Sequence, residues 1–215
     1  MLSVSNQDYK SCKALLELGA KPDVHDTYSG STALIEACKL TNRCKNGTRF
    51  IKLLLAYGAN PNEEETGVRR KGNTTRLTPL LAACNGFNSF NSPIEKVKLL
   101  VEAGANINYT NEYNMNALRS CLIFEHYDVI LYLIEKGAEY KNIISTVKGV
   151  NYYICDELRY DVHSLNSKKY LEKMELVDFL EKNGLHYRTL PIPPAIIDII
   201  KKQYPNNWQE YFEKY

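Results

Sequence analysis

Apolar residues recur at helical spacing in five stretches of the chain, and each stretch ends at a glycine. The glycines are Gly19, Gly58, Gly104, Gly137 and, in a weaker copy, Gly184. The residues seven and four places before each glycine are apolar, which predicts an amphipathic helix, and the glycine predicts a left-handed C-terminal cap. We therefore expect outer helices near residues 8–18, 49–57, 94–103, 127–136 and 173–183.

A second apolar phrase lies between the first four outer helices, as STALIEAC, LTPLLAAC and MNALRSC. Thr32 and Thr78 are residue types that cap a helix N-terminus, and Pro79 suits the first helical position. Small residues follow on one face, which lets neighbouring helices approach closely. Each unit is thus predicted to be a turn, a short inner helix, a loop and a longer outer helix.

These linked phrases resemble the ankyrin repeat, a unit of about 33 residues with a Thr-Pro-Leu-His-x-Ala signature. LTPLLAAC and VKLLVEAGANIN carry the resemblance, which covers roughly residues 1–188. It implies an all-α solenoid of about five helix-turn-helix repeats over residues 1–190. It also implies a non-enzymatic module that binds a partner protein. The signature histidine is replaced by Ile35, Leu81 and Arg119, so its usual hydrogen bonds at the turn base are absent or made otherwise.

The repeat spacing is irregular, because successive glycines are 39, 46, 33 and 47 residues apart. Extra residues fall in two inter-helix loops and in the turn NEEETGVRRKGNTTR. This turn carries Glu63–Glu65 before Gly67 and the basic residues Arg69, Arg70 and Lys71 after it. One interpretation is a solvated hairpin whose opposite charges neutralise each other. The other is a finger whose arginines grip an acidic partner, since insertions in repeat proteins often lie on the binding face.

The insertion between residues 138 and 177 predicts a variant inner helix around Tyr152–Leu158 followed by an extended loop. Tyr152, Tyr153 and Tyr160 are interpreted as a packed cover for the stack or as a contact patch.

Residues 191–215 depart from the repeat and are predicted to form a C-terminal helical capping segment. Pro191, Pro193 and Pro194 stop the solenoid, and two short helices follow. A solenoid end needs a cover for its apolar face, which favours a cap. The alternative is a substrate-recruiting adaptor, because LPIP before a helix resembles the cullin-facing part of SOCS-box proteins. In that case the segment would engage larger machinery such as a ubiquitin ligase.

Composition and charge narrow the classes of partner. A net charge of +2 produces no field that indicates nucleic acid, and no apolar run approaches the about 20 residues needed to cross a membrane. The first residues lack a signal peptide, and the six cysteines form no CxxC pair. Free thiols in a reducing, cytoplasmic compartment are therefore expected, in a monomer.

No group of residues converges on a catalytic or metal site, and no cofactor is expected. His25 is expected to be an exposed turn residue, and His126 to cap the helix that follows it. Cys44 lies between Arg43 and Lys45, which would lower a thiol pKa, but no base accompanies it. Three cysteines fall at equivalent inner-helix positions and are expected to be buried about one repeat apart. They are Cys38, Cys84 and Cys121.

Turn tips, inner helices and inserted loops are predicted to form the partner-binding surface. Tyrosine and arginine are enriched at interface hot spots. The candidates of these types on the turns and the third inner helix are Tyr28, Arg76, Tyr109, Tyr113 and Arg119. In the inserted turn the candidates are the basic run Arg69, Arg70 and Lys71.

Overall fold

A computed structural model of the chain describes residues 1–40, 46–67, 76–85 and 92–215. The chain forms two compact units, Met1–Ala138 and Glu139–Tyr215. The described residues are mostly helical, with one two-stranded sheet. The predicted helical repeat fold is therefore confirmed.

The first unit alternates short inner helices with longer outer helices. The inner helices are α1 (Leu2–Ser5), α3 (Ala33–Lys39), α5 (Pro79–Cys84) and α7 (Ala117–Ile123). The outer helices are α2 (Tyr9–Glu17), α4 (Asn46–Ala56), α6 (Ile94–Glu102) and α8 (Tyr127–Glu135).

Side-chain caps start the inner helices. The Thr32 hydroxyl accepts a hydrogen bond from the Ile35 N–H at 3.3 Å, which confirms the predicted cap, and Thr78 caps α5 in the same way. Asn116 does this for α7, where the threonine is missing. His126 lies at the N-cap position of α8, as predicted, but its side chain makes no capping hydrogen bond.

Glycines end the outer helices as predicted. The φ angles of Gly19, Gly58, Gly104 and Gly137 lie between +82° and +97°, in the left-handed region that disfavours any side chain. The next N–H then reaches back to the helix, as from Ala105 to the Leu100 carbonyl at 2.9 Å.

The core of the first unit lies between the two helix layers. Leu54, Leu100 and Leu133, four residues before their glycines, are at most 1% exposed. The equivalent Leu15 of the first repeat is 50% exposed and lines an open apolar groove of about 470 Å³.

Cysteines line the contact between inner helices. Cys38, Cys84 and Cys121 are buried as predicted, and burial raises the pKa of Cys38 to about 12. Cys84 on α5 and Cys121 on α7 belong to adjacent repeats, and their thiols are close enough to interact. The small residues around them let the two helices approach this closely. Cys44 lies outside the described residues.

Lys96 of α6 is a buried cation that donates hydrogen bonds to carbonyls at the C-terminus of α3. Its side chain is 4% exposed, and Nζ donates to the Cys38 carbonyl at 3.1 Å and to the Leu40 carbonyl. These carbonyls lie at the C-terminus of α3, where helix carbonyls lack partners within the helix and a positive charge is favourable. Burial lowers the pKa of Lys96.

The second unit begins with a β-hairpin that the sequence did not predict. Its strands are β1 (Ser145–Val147) and β2 (Val150–Tyr152), joined by Lys148 and Gly149, both with positive φ. The expected variant inner helix starts later, as α9 (Ile154–Leu158), because the hairpin occupies the residues before it. Tyr153 and Tyr160 are 44% and 46% exposed, so neither of these two tyrosines is buried.

The rest of the second unit is helical, with an aromatic core. It contains α10 (Lys168–Lys182), a 3-10 turn (Tyr187–Thr189), α11 (Pro194–Gln203) and α12 (Trp208–Lys214). Arg159 is 4% exposed, lies 4.0 Å from the centre of the Tyr187 ring, and donates to the main-chain oxygens of Tyr187 and Tyr215. Ile196, Ile200 and Tyr211 are buried beside Tyr215.

Candidate functional site

Each turn of the first unit is closed at its base by the residue seven places after the helix-ending glycine. Three backbone hydrogen bonds of 2.9–3.1 Å do this: Asp26 N–H to the Ser31 carbonyl, Glu65 N–H to Leu77, and Asn111 N–H to Met115. The three turns therefore share one closure, although the second is much longer than the others.

Side chains at the same position fix the conformation of the first and third turns. The Asp26 carboxylate accepts from the Tyr28 and Ser29 N–H groups at 3.0 and 2.7 Å, and the bonds from Ser29 lower the pKa of Asp26. The Asn111 side-chain oxygen accepts from the Tyr113 and Met115 N–H groups, both at 3.0 Å. Two tyrosines are thus held at fixed places on the turn tips.

An Asp or Asn four residues after each of the first three helix-ending glycines connects one turn to the next. Asp23 accepts from the Asn60 N–H at 3.0 Å. Asn62 accepts from the Asn106 N–H at 2.6 Å and donates to the Gly104 carbonyl at 2.9 Å. Asn108 donates to the Gly137 carbonyl at 3.2 Å. These bonds set the spacing between neighbouring turns.

His25 joins the first turn to the second, so the expectation of an exposed residue is wrong. Its side chain is 23% exposed. Nδ1 lies 2.7 Å from the Gly30 carbonyl oxygen, and Nε2 lies 2.9 Å from Glu63 Oε1. The sequence could not indicate this contact, because His25 and Glu63 are separated by a complete repeat.

The acidic run of the inserted turn has partners on neighbouring repeats. Glu65 is 7% exposed and pairs with Lys39 at 2.6 Å, while Glu63 pairs with His25. Burial and a hydrogen bond to Glu64 raise the pKa of Tyr109 to about 12. The basic run Arg69, Arg70 and Lys71, predicted as part of the site, lies outside the described residues.

The remaining predicted site residues lie on the three turns and on α7. Tyr28 is 71% exposed on the first turn, and Tyr113 is 46% exposed on the third. The Arg119 guanidinium donates to the Tyr113 and Asn114 carbonyls at 3.4 and 3.1 Å, so it also supports the third turn.

Arg76 and Tyr109 lie nearer the turn bases. Both are half-buried, and the charge of Arg76 acts on the Tyr109 hydroxyl. The Arg76 main-chain oxygen accepts from the Asn111 amide at 3.3 Å. Its buried Nε has no hydrogen-bond partner within the described part of the chain.

The inner helices contribute less to an accessible surface than the sequence led us to expect. All six residues of α5 are buried, so this helix offers no side chain to a partner. Arg119 of α7 is half-buried. Accessible side chains of the predicted types are therefore concentrated on the turn tips.

Among the residues with a described position, no cluster of three or more His, Cys, Asp or Glu side chains could hold a metal ion. None of the described helices has the length and apolar character required to cross a membrane.

Comparison with known proteins agrees with this geometry. The family model described as ankyrin repeats (3 copies) matches residues 40–143. No curated protein matches the chain. Ankyrin repeats generally serve as protein–protein interaction modules, and the family is typically non-enzymatic. By its paired helices, its glycine-capped outer helices and this match, the chain contains ankyrin repeats over residues 40–143.

Proposed function

We propose that the chain binds a partner protein through the tips of its first and third turns. The observation that carries the proposal is the exposure of Tyr28 and Tyr113 on turns whose backbones are fixed by Asp26 and Asn111. A tyrosine on a fixed backbone loses little conformational entropy on binding, and it offers both an apolar ring and a hydroxyl.

Arginines beside these tyrosines support the same surface. Arg119 reaches the backbone next to Tyr113, and Arg76 lies close to Tyr109. An arginine can pair with a partner's carboxylate through two parallel hydrogen bonds. Arg69, Arg70 and Lys71 of the inserted turn are proposed to extend this surface.

The adaptor alternative receives less support from the packing of the C-terminal segment. An adaptor would present its segment to other machinery, whereas Ile196, Ile200, Tyr211 and Tyr215 are buried in the second unit. A capping role for residues 191–215 is therefore the proposal that we favour.

A site-specific photo-crosslinker tests the proposed surface. The crosslinking residue is introduced at position 28, 113 or 57, since Tyr57 is 39% exposed in the same unit but lies directly after α4, outside the first and third turns. The crosslinking residue at position 28 or 113 should give an adduct with a common partner after irradiation in cells, and the same residue at position 57 should not. A partner that crosslinks only from position 57 would place the interface elsewhere.

A further inference from the structure

We propose that His25 is a proton-dependent latch, whose imidazolium form ties the first turn to Glu63 of the second turn and whose neutral form releases it.

The hydrogen-bond geometry requires both ring nitrogens to carry a proton. Nδ1 lies 2.7 Å from the Gly30 carbonyl oxygen, which can only accept, so Nδ1 must donate. Nε2 lies 2.9 Å from Glu63 Oε1, and a carboxylate can only accept, so Nε2 must donate as well. A neutral imidazole has one N–H and cannot make both bonds.

The two partners of His25 are themselves held in place. The second oxygen of Glu63 accepts from the Asn60 side-chain amide at 3.0 Å. The Gly30 carbonyl also accepts the Thr66 N–H at 2.9 Å, and the Thr66 hydroxyl lies 3.0 Å from Nδ1. The Thr66 N–H therefore reports directly on the contact between the turns.

The backbones of the two turns touch beside His25. A methyl group added at Gly30 would lie 1.7 Å from the Gly67 nitrogen, so only a glycine fits there. Glu63 lies only four residues before Gly67, so movement of Glu63 should alter this contact.

The charges around His25 favour the imidazolium. Glu63 faces it from the second turn and Asp23 from the first. The Asp26 carboxylate accepts a hydrogen bond from Ser29, and the Met1 amino group also lowers the pKa of Asp26. Lys21 and Cys12 line the apolar groove that His25 and Leu15 also line. The Gly30 hydrogen bond and Glu63 raise the pKa of His25, against the opposing effect of partial burial.

Because folding raises the pKa of His25, the contact between the turns is more stable at low pH than at high pH. A histidine pKa that is raised by folding contributes stability below the unfolded value of about 6.5, and loses it as pH rises through the folded value. Above that pH the neutral ring keeps a single N–H, so the bond to Gly30 or the bond to Glu63 is lost. Either loss weakens the contact between the first and second turns.

NMR titration of the full chain tests the latch, with Glu63→Gln as the isosteric uncharged variant. We expect His25 to titrate above its ordinary value in the native chain and lower in the variant. We also expect protection of the Thr66 amide from hydrogen exchange, corrected for intrinsic rates, to fall several-fold between about pH 5.5 and about pH 8. The Asn111 amide of the third turn should keep its protection.

Equal His25 titration in both chains would overturn the proposal, and so would pH-independent protection of Thr66. A second variant, His25→Gln, separates the latch from other titrating groups. Protection of Thr66 should lose its pH dependence in this variant, and retention of the native dependence would also overturn the proposal. Neither measurement requires a binding partner.

Discussion

Threonine caps and glycine ends act within one turn of the chain, which is why the sequence indicates them. Thr32 and Gly104 need only their own helix for their roles. Lys96 and His25 differ, because their partners lie 56–58 and 38 residues away along the chain. A periodic pattern shows which side of a helix is buried, but it does not show which carbonyl a buried lysine will reach.

Replacing Lys96 with Met tests the role of this lysine at the residue scale. Methionine preserves the apolar stem but removes the donor to the Cys38 and Leu40 carbonyls. Leaving buried carbonyls without a partner costs about 1–3 kcal/mol, so the free energy of unfolding in urea should fall by that amount. Lys98→Met is the control on the same helix, because Lys98 is 43% exposed and pairs only loosely with Glu95 at 3.8 Å. Equal effects of the two substitutions would contradict the assigned role.

Helices and turns of the stack could be predicted where their signal is local and repeated. The Asp or Asn that follows the first three helix-ending glycines by four residues also recurs in the sequence, at Asp23, Asn62 and Asn108, and could have indicated the bonds between turns. The β-hairpin could not be found in this way, since its strands have three residues each and occur once. The burial of α5 depends on what surrounds it, which a periodic pattern does not specify.

Deleting residues 191–215 tests the C-terminal elements. The deletion removes Tyr211 and Tyr215, and it leaves the buried guanidinium of Arg159 without the main-chain oxygen of Tyr215. Buried charge that loses a partner is strongly destabilising. Amides of α9 and α10 should therefore lose most of their protection from hydrogen exchange.

A deleted chain in which α9 and α10 stay protected while one partner is lost would instead support the adaptor alternative. The milder variant Tyr211→Phe removes only the hydroxyl that donates to the His163 carbonyl at 2.6 Å. This variant should show a smaller loss of protection in the same direction.

At the scale of the whole molecule, stretched repeat spacing is combined with regular turn closure. The interval containing the second turn is 46 residues long, yet Glu65 closes that turn as Asp26 and Asn111 close their shorter ones. The extra residues therefore fall between Glu65 and Leu77, which form the same base as in the shorter turns. This arrangement keeps Tyr28 and Tyr113 at fixed positions, which is the central claim of the proposed function.

Binding by the double variant Tyr28→Ala/Tyr113→Ala measures that claim most directly. The native chain, the double variant and a Tyr57→Ala control are immobilised in equal amounts, and their specific partners are quantified by mass spectrometry. The double variant should lose the partner about tenfold or more at an unchanged thermal transition, because hot-spot tyrosines contribute about 2 kcal/mol or more each. Equal retention of the partner by all three chains, with the thermal transition unchanged, would contradict the account.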